Sequence, residues 1–543
     1  MARFIFSVQS LTVCSAAFSL SNTLSDGMVL QRSPASSVVW GFASPGVAVE
    51  TTVAVETTFI VHARTPLVAI ADATGVWRQT LPPFDATSVG HTLHFNSTEG
   101  GATLRDVLFG EVFLCGGQSN MAYTPLSMAG MNNASSEIAA ADSPAYRDVR
   151  LFTVGQGTVS KAPRRALGTV YHNWTAASAK VLGGVRWKEF SAVCWLFGKR
   201  LREELSVPVG LISSNWGGTS IQVWMPAAAN EACKQGSWSG DRYNAMIAPF
   251  ALGPMRLAGT IWYQGESNNG QGRYYSCAFP AMITAWRAAF ASSMWFGFVQ
   301  IAGYRYGGAS HPDPSADLRQ AQLAALALPH VAASTAIDTG DWNGIHPPDK
   351  QTPAFRLAAA ALDQAYGRRE YEPAHSPPLY SGQTLVQRAS LGNSTATVLV
   401  RLSRVATSTV PPWATASSTL GQPGSVARNA CPVALMPPFH NPEDCGWPRL
   451  YATDAAGQTT VHNATARLAN GGRAIEISAS VPAHLEVVAS SYGRASWPMT
   501  LFFSERGVPV LPWYATLNQT LPWVLPAAVG DAPAPIPVDS AWE

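Results

Sequence analysis

The spacing of apolar and polar residues divides the chain into three regions. Residues 20–105 alternate over short segments separated by Gly and Pro, which predicts an all-β module. From 107 to 366 apolar runs alternate with amphipathic stretches, which predicts an α/β fold with a parallel sheet covered on both faces. After Pro373 the helical pattern ends and β-type alternation returns. The predicted divisions are a leader at 1–18, a β-sandwich-like module at 19–105, an α/β domain at 106–370, a C-terminal β-rich region at 371–526 and a Pro/Ala-rich tail at 527–543.

Within the α/β region, buried strands and amphipathic helices follow one another along the chain. The predicted strands are 111–115, 209–212, 257–262, 295–301 and 332–337. The predicted helices are 190–205, 279–290, 316–328 and 353–366.

Small, amide and hydroxyl residues gather directly after four of these strands, in segments 116–121, 215–220, 263–268 and 338–348. Open α/β sheets bind their ligands beyond the carboxyl ends of the strands, so these segments are expected to meet at one edge. The catalytic or ligand-binding residues are therefore expected in these segments.

The residues in these segments are suited to acyl transfer. Ser119 is the candidate nucleophile and His346 the candidate base, since a serine hydroxyl is weak until a base takes its proton. The Ser119 N–H, an N–H of the Gly217-Gly218 pair and the Gln264 amide are candidate donors to an oxyanion. Each also has an ordinary explanation: a serine after a strand is commonly a helix N-cap, and Gly-Gly is commonly a turn. The combination favours catalysis, although the elbow pattern G-x-S-x-G of α/β-hydrolases is absent.

Composition and charge narrow the class of protein further. Apolar residues make up 47% and charged residues 13% of 543, which excludes global disorder. The net charge of +2 gives no indication of a nucleic-acid partner. No apolar run reaches the roughly 18–20 residues that a membrane span needs. No C-x-x-C pair occurs, and neither a metal nor another cofactor is predicted.

Three weak signals agree on the secretory pathway. Arg3 precedes an apolar stretch and small residues, as in a signal peptide cleaved near Ala17. Removal of Cys14 would leave six cysteines, an even number suited to an oxidising compartment. Glycosylation sequons begin at Asn96, Asn133, Asn173, Asn393, Asn463 and Asn518. We expect a secreted or lysosomal glycoprotein.

Four stretches resemble the sialate O-acetylesterases, a branch of the SGNH-hydrolase superfamily. They are Glu111–Met121, Trp216–Ser220, Trp262–Asn268 and Ile345–Pro347. The resemblance implies a three-layer α/β/α hydrolase domain that removes O-acetyl groups from sialic acids through an acyl-serine intermediate, without a metal. It matches Ser119 with the nucleophile, His346 with the base, and Gln264 and the Gly217-Gly218 turn with the oxyanion hole. Glu266 and Asn268 are supporting residues of the same motif.

One position departs from the superfamily pattern. Many SGNH hydrolases have Asp three residues before the histidine, whereas this chain has Asn343. An amide cannot neutralise an imidazolium. Either Asp338 or Asp341 reaches His346, or the site works as a Ser-His dyad, which we favour.

Other functions remain open at this point. The same chemistry would serve another acetylated sugar, for instance acetylated xylan. The 18 Trp and the β modules also allow a carbohydrate-binding protein with an inert site. A glycosidase with Glu266 and Asp341 as its two carboxylates is the most distant alternative.

The cysteine spacing predicts disulfides. We expect Cys233–Cys277 and Cys431–Cys445 to be bonded, whereas Cys115 and Cys194 are either core thiols or a third pair.

Overall fold

The computed structural model of the chain describes residues 18–55, 66–127, 130–184, 187–234, 236, 238–304, 314–341, 344–389, 394–407, 448–498, 500 and 502–518. Its strands are β1 (Ser19–Leu20), β2 (Val29–Gln31), β3 (Val38–Phe42), β4 (Ala48–Val55), β5 (Leu67–Ile70), β6 (Val76–Thr80), β7 (Thr87–Ser97), β8 (Gly100–Gly117), β9 (Val149–Val154), β10 (Val170–Ala176), β11 (Val209–Asn215), β12 (Gly259–Tyr263), β13 (Trp295–Gln300), β14 (Val331–Thr335), β15 (Tyr380–Gln387), β16 (Thr395–Leu402), β17 (Arg449–Thr453), β18 (Thr459–Asn463), β19 (Thr465–Ala469), β20 (Ala474–Ser480), β21 (Glu486–Tyr492) and β22 (Trp513–Thr516). Its α-helices are α1 (Ser119–Ala122), α2 (Ala134–Ala140), α3 (Ala179–Leu182), α4 (Ala192–Leu205), α5 (Ala227–Ala232), α6 (Ala248–Ala251), α7 (Gly272–Ala289), α8 (Pro314–Gln322), α9 (Gln351–Gln364) and α10 (Glu372–His375).

Several sequence predictions fall outside the described residues. They are the leader at 1–17, the Cys431–Cys445 disulfide, Asn343, the sequon at Asn393 and the tail at 527–543. Across the part that is described, no helix is both long enough and apolar enough to cross a bilayer.

The central sheet contains six parallel strands in the order β9, β11, β8, β12, β13, β14, with β10 antiparallel at the β9 edge. The predicted α/β class is confirmed by this alternation of parallel strands and helices. β8 lies at the centre, between β11 and β12. The segments after these three neighbouring strands are therefore brought to one edge of the sheet.

Strand β8 belongs to two sheets. Its first half pairs antiparallel with β7 among the N-terminal strands, and β2 pairs with residues 108–110. Its second half pairs in parallel with β11 and β12. The division drawn from the sequence between residues 105 and 106 lies inside this one strand.

Alternate residues of β8 face opposite sides of the sheet, as the period of two requires. Phe113 and Cys115 pack in the same apolar cluster as α4 and α9. Val112 and Leu114 pack in the cluster that contains α7. Helices thus cover both faces of the sheet.

Two disulfides fasten helices in the α/β region. Cys115 on β8 is bonded to Cys194 on α4, which decides between the two states left open for this pair. Cys233, directly after α5, is bonded to Cys277 on α7, as predicted.

Helix α7 differs most from its prediction. The sequence predicted that this helix spans residues 279–290. The observed helix begins at Gly272 and contains Pro280 in its interior. Burial of Tyr274 and Tyr275 in the core stabilises these earlier turns. The predicted helix 316–328 is also divided, since α8 ends at Gln322 and a 3-10 turn follows.

The C-terminal strands form two antiparallel sheets, β15-β16-β20-β19 and β18-β17-β21-β22, around a shared apolar core. Arg319 on α8 joins this region to the central sheet. Its guanidinium is fully buried and donates to four backbone carbonyl oxygens, those of Ile301, Ala302, Ala495 and Ser496. A buried donor group of this kind is costly to leave without acceptors, so Arg319 fixes the position of the C-terminal region relative to the central sheet.

Candidate active site

Ser119 stands where the central strand ends. Strand β8 finishes at Gly117 and α1 begins at Ser119, which is half-buried between the buried Gln118 and Asn120. Gly117 has φ +139°, and a Cβ there would lie 2.3 Å from the carbonyl oxygen of Tyr263. Only glycine allows the chain to turn this closely beside β12. The turn directs Ser119 to the carboxyl edge of the sheet.

The segment after β11 lies directly against Ser119. The N–H of Trp216 donates to the carbonyl oxygen of Gly117 at 3.0 Å. A Cβ at Gly217 would be 3.4 Å from Cβ of Ser119, so the two backbones are neighbours, and Gly218 adopts the left-handed φ of +71°. The N–H groups of Ser119 and Gly217 have no acceptor among the described residues. Two donors are therefore available beside the serine.

Gln264 is close to this segment, but the hydrogen-bonding groups of its side-chain amide already have partners within the protein. The side chain is buried, and its Nε2 donates to the carbonyl oxygen of Thr219 at 3.2 Å and to Oδ1 of Asn268 at 2.7 Å. Its Oε1 accepts from the Tyr275 hydroxyl at 2.9 Å. Both N–H groups expected to bind an oxyanion are thus engaged elsewhere. In this geometry Gln264 fixes the loop that carries Gly217.

Asn268 completes the support behind that loop. Its Nδ2 donates to Oε1 of both Gln222 and Gln271 at 2.9 Å, and its Oδ1 accepts from the N–H of Ile221 at 2.8 Å. Every donor and acceptor of this buried amide is satisfied, which makes the 216–222 segment rigid.

His346 lies between aromatic rings. Its ring centroid is 5.5 Å from that of Trp187, edge to face, and 6.4 Å from that of Tyr123. Burial, and secondly the positive charge of Lys350, lower the pKa of His346 from 6.5 to about 4. The imidazole is therefore neutral at pH 7 and able to accept a proton. Within the described residues no hydrogen bond joins it to Ser119, and such bonds commonly tighten only when substrate binds.

The two candidate aspartates have other surroundings. Asp338 is buried and paired through both oxygens with the Arg356 guanidinium, at 2.7 and 2.9 Å. Asp341 lies beside Gly344, whose Cβ position is 3.0 Å from Oδ2 of Asp341. In the described portion of the chain, neither is hydrogen-bonded to His346. The identity of a third catalytic residue stays a prediction, because Asn343 is outside the described residues.

Lys350, Asn120 and Glu266 form a buried polar group, of which the sequence predicted only Glu266 as a supporting residue. Nζ of Lys350 donates to Oδ1 of Asn120 at 2.6 Å, and Nδ2 of Asn120 donates to Oε1 of Glu266 at 2.6 Å. Lys350 also stacks over the Tyr123 ring at 4.5 Å. Burial lowers the pKa of Lys350 to about 7 and raises the pKa of Glu266. Glu266 is thus an internal partner of Asn120 rather than an exposed carboxylate.

The site is suited to acyl transfer to water. It contains a half-buried serine at the end of a central parallel strand, two backbone donors beside that serine, and a neutral imidazole. The fold and this site place the chain among the α/β ester hydrolases.

The comparisons with known proteins narrow this class. The family model "Carbohydrate esterase, sialic acid-specific acetylesterase" matches residues 109–347. The sialate O-acetylesterases of Pongo abelii and Homo sapiens are each 35% identical over 387 residues, covering 65% of this chain and 72% of theirs. A carbohydrate acetylesterase from Xanthomonas citri has a crystal structure that matches with a TM-score of 0.70 and 27% identity, over 92% of this chain and 99% of that one. The chain belongs to the sialate O-acetylesterase family, which confirms the resemblance, and it is an esterase.

Proposed function

We propose that the protein hydrolyses O-acetyl esters of sialic acids through an acyl-serine intermediate. His346 takes the proton of Ser119 as Oγ attacks the acetyl carbonyl carbon. The N–H groups of Ser119 and Gly217 stabilise the oxyanion, and the sugar hydroxyl leaves with the proton held by His346. Water then attacks the acyl carbon while His346 takes its proton, and the bond to Oγ of Ser119 breaks, so that acetate leaves and Oγ regains a proton from His346. The observation that carries the proposal is the contact between Gly217 and Ser119, which sets a free N–H beside the nucleophile.

The arrangement of sheet and helix layers in the fold is also part of this proposal. We assign the central sheet with its helices to the three-layer α/β/α arrangement of SGNH hydrolases, with β-rich regions before and after it. Supporting this assignment, β8, β11 and β12 lie side by side, and the candidate residues follow their carboxyl ends.

The nucleophile is tested by replacing Ser119 with Ala. We expect kcat for acetate release to fall about 10⁶-fold, with a remnant due to the oxyanion donors, and labelling by an organophosphonate to disappear. Ser267→Ala is the matched control, because Ser267 is also half-buried in an adjacent loop and is expected to keep both properties. Unchanged acetate release in Ser119→Ala would exclude the acyl-serine mechanism.

A cation near the site supports an acidic sugar as the substrate. The guanidinium of Arg242 lies 4.4 Å above the ring of Trp216, the residue before Gly217. It pairs with Asp241 at 2.9 Å, while its buried Nε has no hydrogen-bond partner among the described residues. Sialic acids carry a carboxylate that neutral acetylated sugars lack, and an arginine recognises this group well.

Substrate choice is tested with Arg242→Met on a matched pair of substrates. We expect KM to rise about tenfold for an O-acetylated sialic acid and to stay unchanged for acetylated xylan, with kcat little affected. An equal change for both substrates would show that Arg242 does not recognise the carboxylate. Faster hydrolysis of acetylated xylan by the native protein would favour the alternative substrate. Binding of either sugar without acetate release would favour an inert binding protein.

We also propose residence in the secretory pathway, either secreted or lysosomal. The two disulfides fit an oxidising compartment. A pKa of about 4 keeps His346 neutral in an acidic organelle as well as outside the cell.

A further inference from the structure

Asn120 lies next to one member of the proposed catalytic pair in sequence, and its side chain is hydrogen-bonded to the residue before the other. Asn120 directly follows Ser119, and its Nδ2 donates to the carbonyl oxygen of Ile345, the residue before His346, at 3.0 Å. The side chain is fully buried. One amide thus connects the end of β8 with a loop that is 225 residues further along the chain.

Two buried side chains, Lys350 and Glu266, determine which way this amide points. The carbonyl end of Asn120 accepts from Lys350, and its amino end donates to Glu266, both at 2.6 Å. A reversed amide would direct N–H groups toward Nζ of Lys350 and an oxygen toward Oε1 of Glu266. It would also direct that oxygen toward the carbonyl of Ile345. Both side chains are buried, so solvent cannot relieve such a mismatch.

The amide contacts the backbone on the His346 side of the site, and the chain itself joins Asn120 to Ser119. Ser119 is held by its chain neighbour Asn120. His346 is held through the carbonyl of Ile345, the residue before it. Since a misplacement of about 1 Å can cost about 10²-fold in rate, this link has a direct kinetic consequence.

We propose that Asn120 is a positioning residue that fixes the position of His346 relative to Ser119. Lys350 and Glu266 hold the amide of Asn120 in the required orientation. The inference rests on the proposed function, because it assigns Ser119 and His346 to the reaction. It gives Lys350 no contact with substrate.

A pair of variants separates positioning from stability. Asn120→Asp keeps the size of the side chain but sets a carboxylate against Glu266 and the Ile345 carbonyl. We expect a lower Tm and a loss of kcat of about 10²-fold. Adding Glu266→Gln supplies an N–H to the introduced carboxylate and leaves it paired with Lys350. The double variant should regain Tm yet keep the low kcat, because the bond to Ile345 is still missing.

The readouts are Tm, kcat and KM for acetate release, and the rate of organophosphonate labelling. KM should change little, and labelling should slow in parallel with kcat. Asn244→Asp is the matched control, since Asn244 is also buried and donates to two backbone carbonyls, at 2.8 and 3.1 Å. It should lower Tm without changing kcat of the folded protein.

Recovery of native kcat together with Tm in Asn120→Asp/Glu266→Gln would overturn the inference and reduce Asn120 to a structural residue. This failure is distinct from failure of the proposed function, in which Ser119→Ala would keep its activity.

Discussion

The low pKa of His346 makes a specific prediction about the pH dependence of the reaction. The base must be neutral to accept a proton from Ser119, and kcat/KM reports the pKa of the free enzyme. Because burial and then Lys350 lower the pKa of His346 to about 4, kcat/KM should remain high as the pH falls from neutral. The loss of activity should have its midpoint near pH 4 rather than near the ordinary 6.5.

Replacing Trp187 with Ala should move this midpoint upward. The Trp187 ring lies 5.5 Å from the His346 ring and shields it from water. Full burial shifts a pKa by roughly 3–5 units, and His346 is only partly buried, so removing one of its two aromatic neighbours should raise the pKa by about one unit. Lys350→Met should shift it in the same direction but less, because the charge is the second cause after burial.

The assay is initial-rate acetate release at low substrate concentration, across the acidic and neutral range, with each profile scaled to its own maximum. Trp238→Ala serves as the control, since Trp238 is exposed and has no ring contact with His346 among the described residues. A native midpoint at 6.5 or above would refute the reasoning. So would an unchanged midpoint in Trp187→Ala while that of Lys350→Met rises.

Three further predictions address the aspartates and a disulfide. Asp338→Asn should lower the free energy of unfolding by about 3–5 kcal/mol, because it leaves the buried guanidinium of Arg356 without the carboxylate that neutralises it, while kcat of the folded protein stays within tenfold. A loss of kcat of thousands-fold would identify Asp338 as the catalytic acid. Asp341→Asn should likewise lose no more than about tenfold in kcat if the site is a dyad, and a steep loss would instead support a triad closed by Asp341. Cys233→Ser with Cys277→Ser should lower the free energy of unfolding by about 2–4 kcal/mol in denaturant titrations, and finding both as free thiols in native material by non-reducing peptide mapping would contradict the pairing.

The sequence predicted which segments meet, because parallel strands of one sheet end at the same edge. This argument brought Ser119, Gly217 and Gln264 together without knowledge of any side-chain contact. It missed strand β9, whose residues are all buried. Arg150 and Thr153 interrupt its apolar pattern, and the contacts that allow burial of Arg150 come from Asp106 and Gly27, far away in the sequence.

The role of Lys350 and the hydrogen-bond partners of Gln264 were beyond sequence reasoning for the same reason. A lysine is ordinarily exposed, and the partner that makes burial of Lys350 possible, Asn120, lies 230 residues earlier. The structure brings Gln264 close to the 216–220 segment, but local pattern could not show that Thr219 and Asn268 already occupy its donors. Positions along a strand are read from periodicity, whereas hydrogen-bond partners depend on the packed fold.

The continuity of β8 affects how this protein tolerates deletion and exchange of its parts. A cut between residues 105 and 106 would separate a strand from itself, exposing unpaired backbone N–H and C=O groups beside β2 and β7. The N-terminal region of this chain is therefore not a separate module, because β8 belongs to both sheets. A truncated chain starting at residue 106 should aggregate rather than fold, and in the intact chain the two sheets that share β8 should melt together.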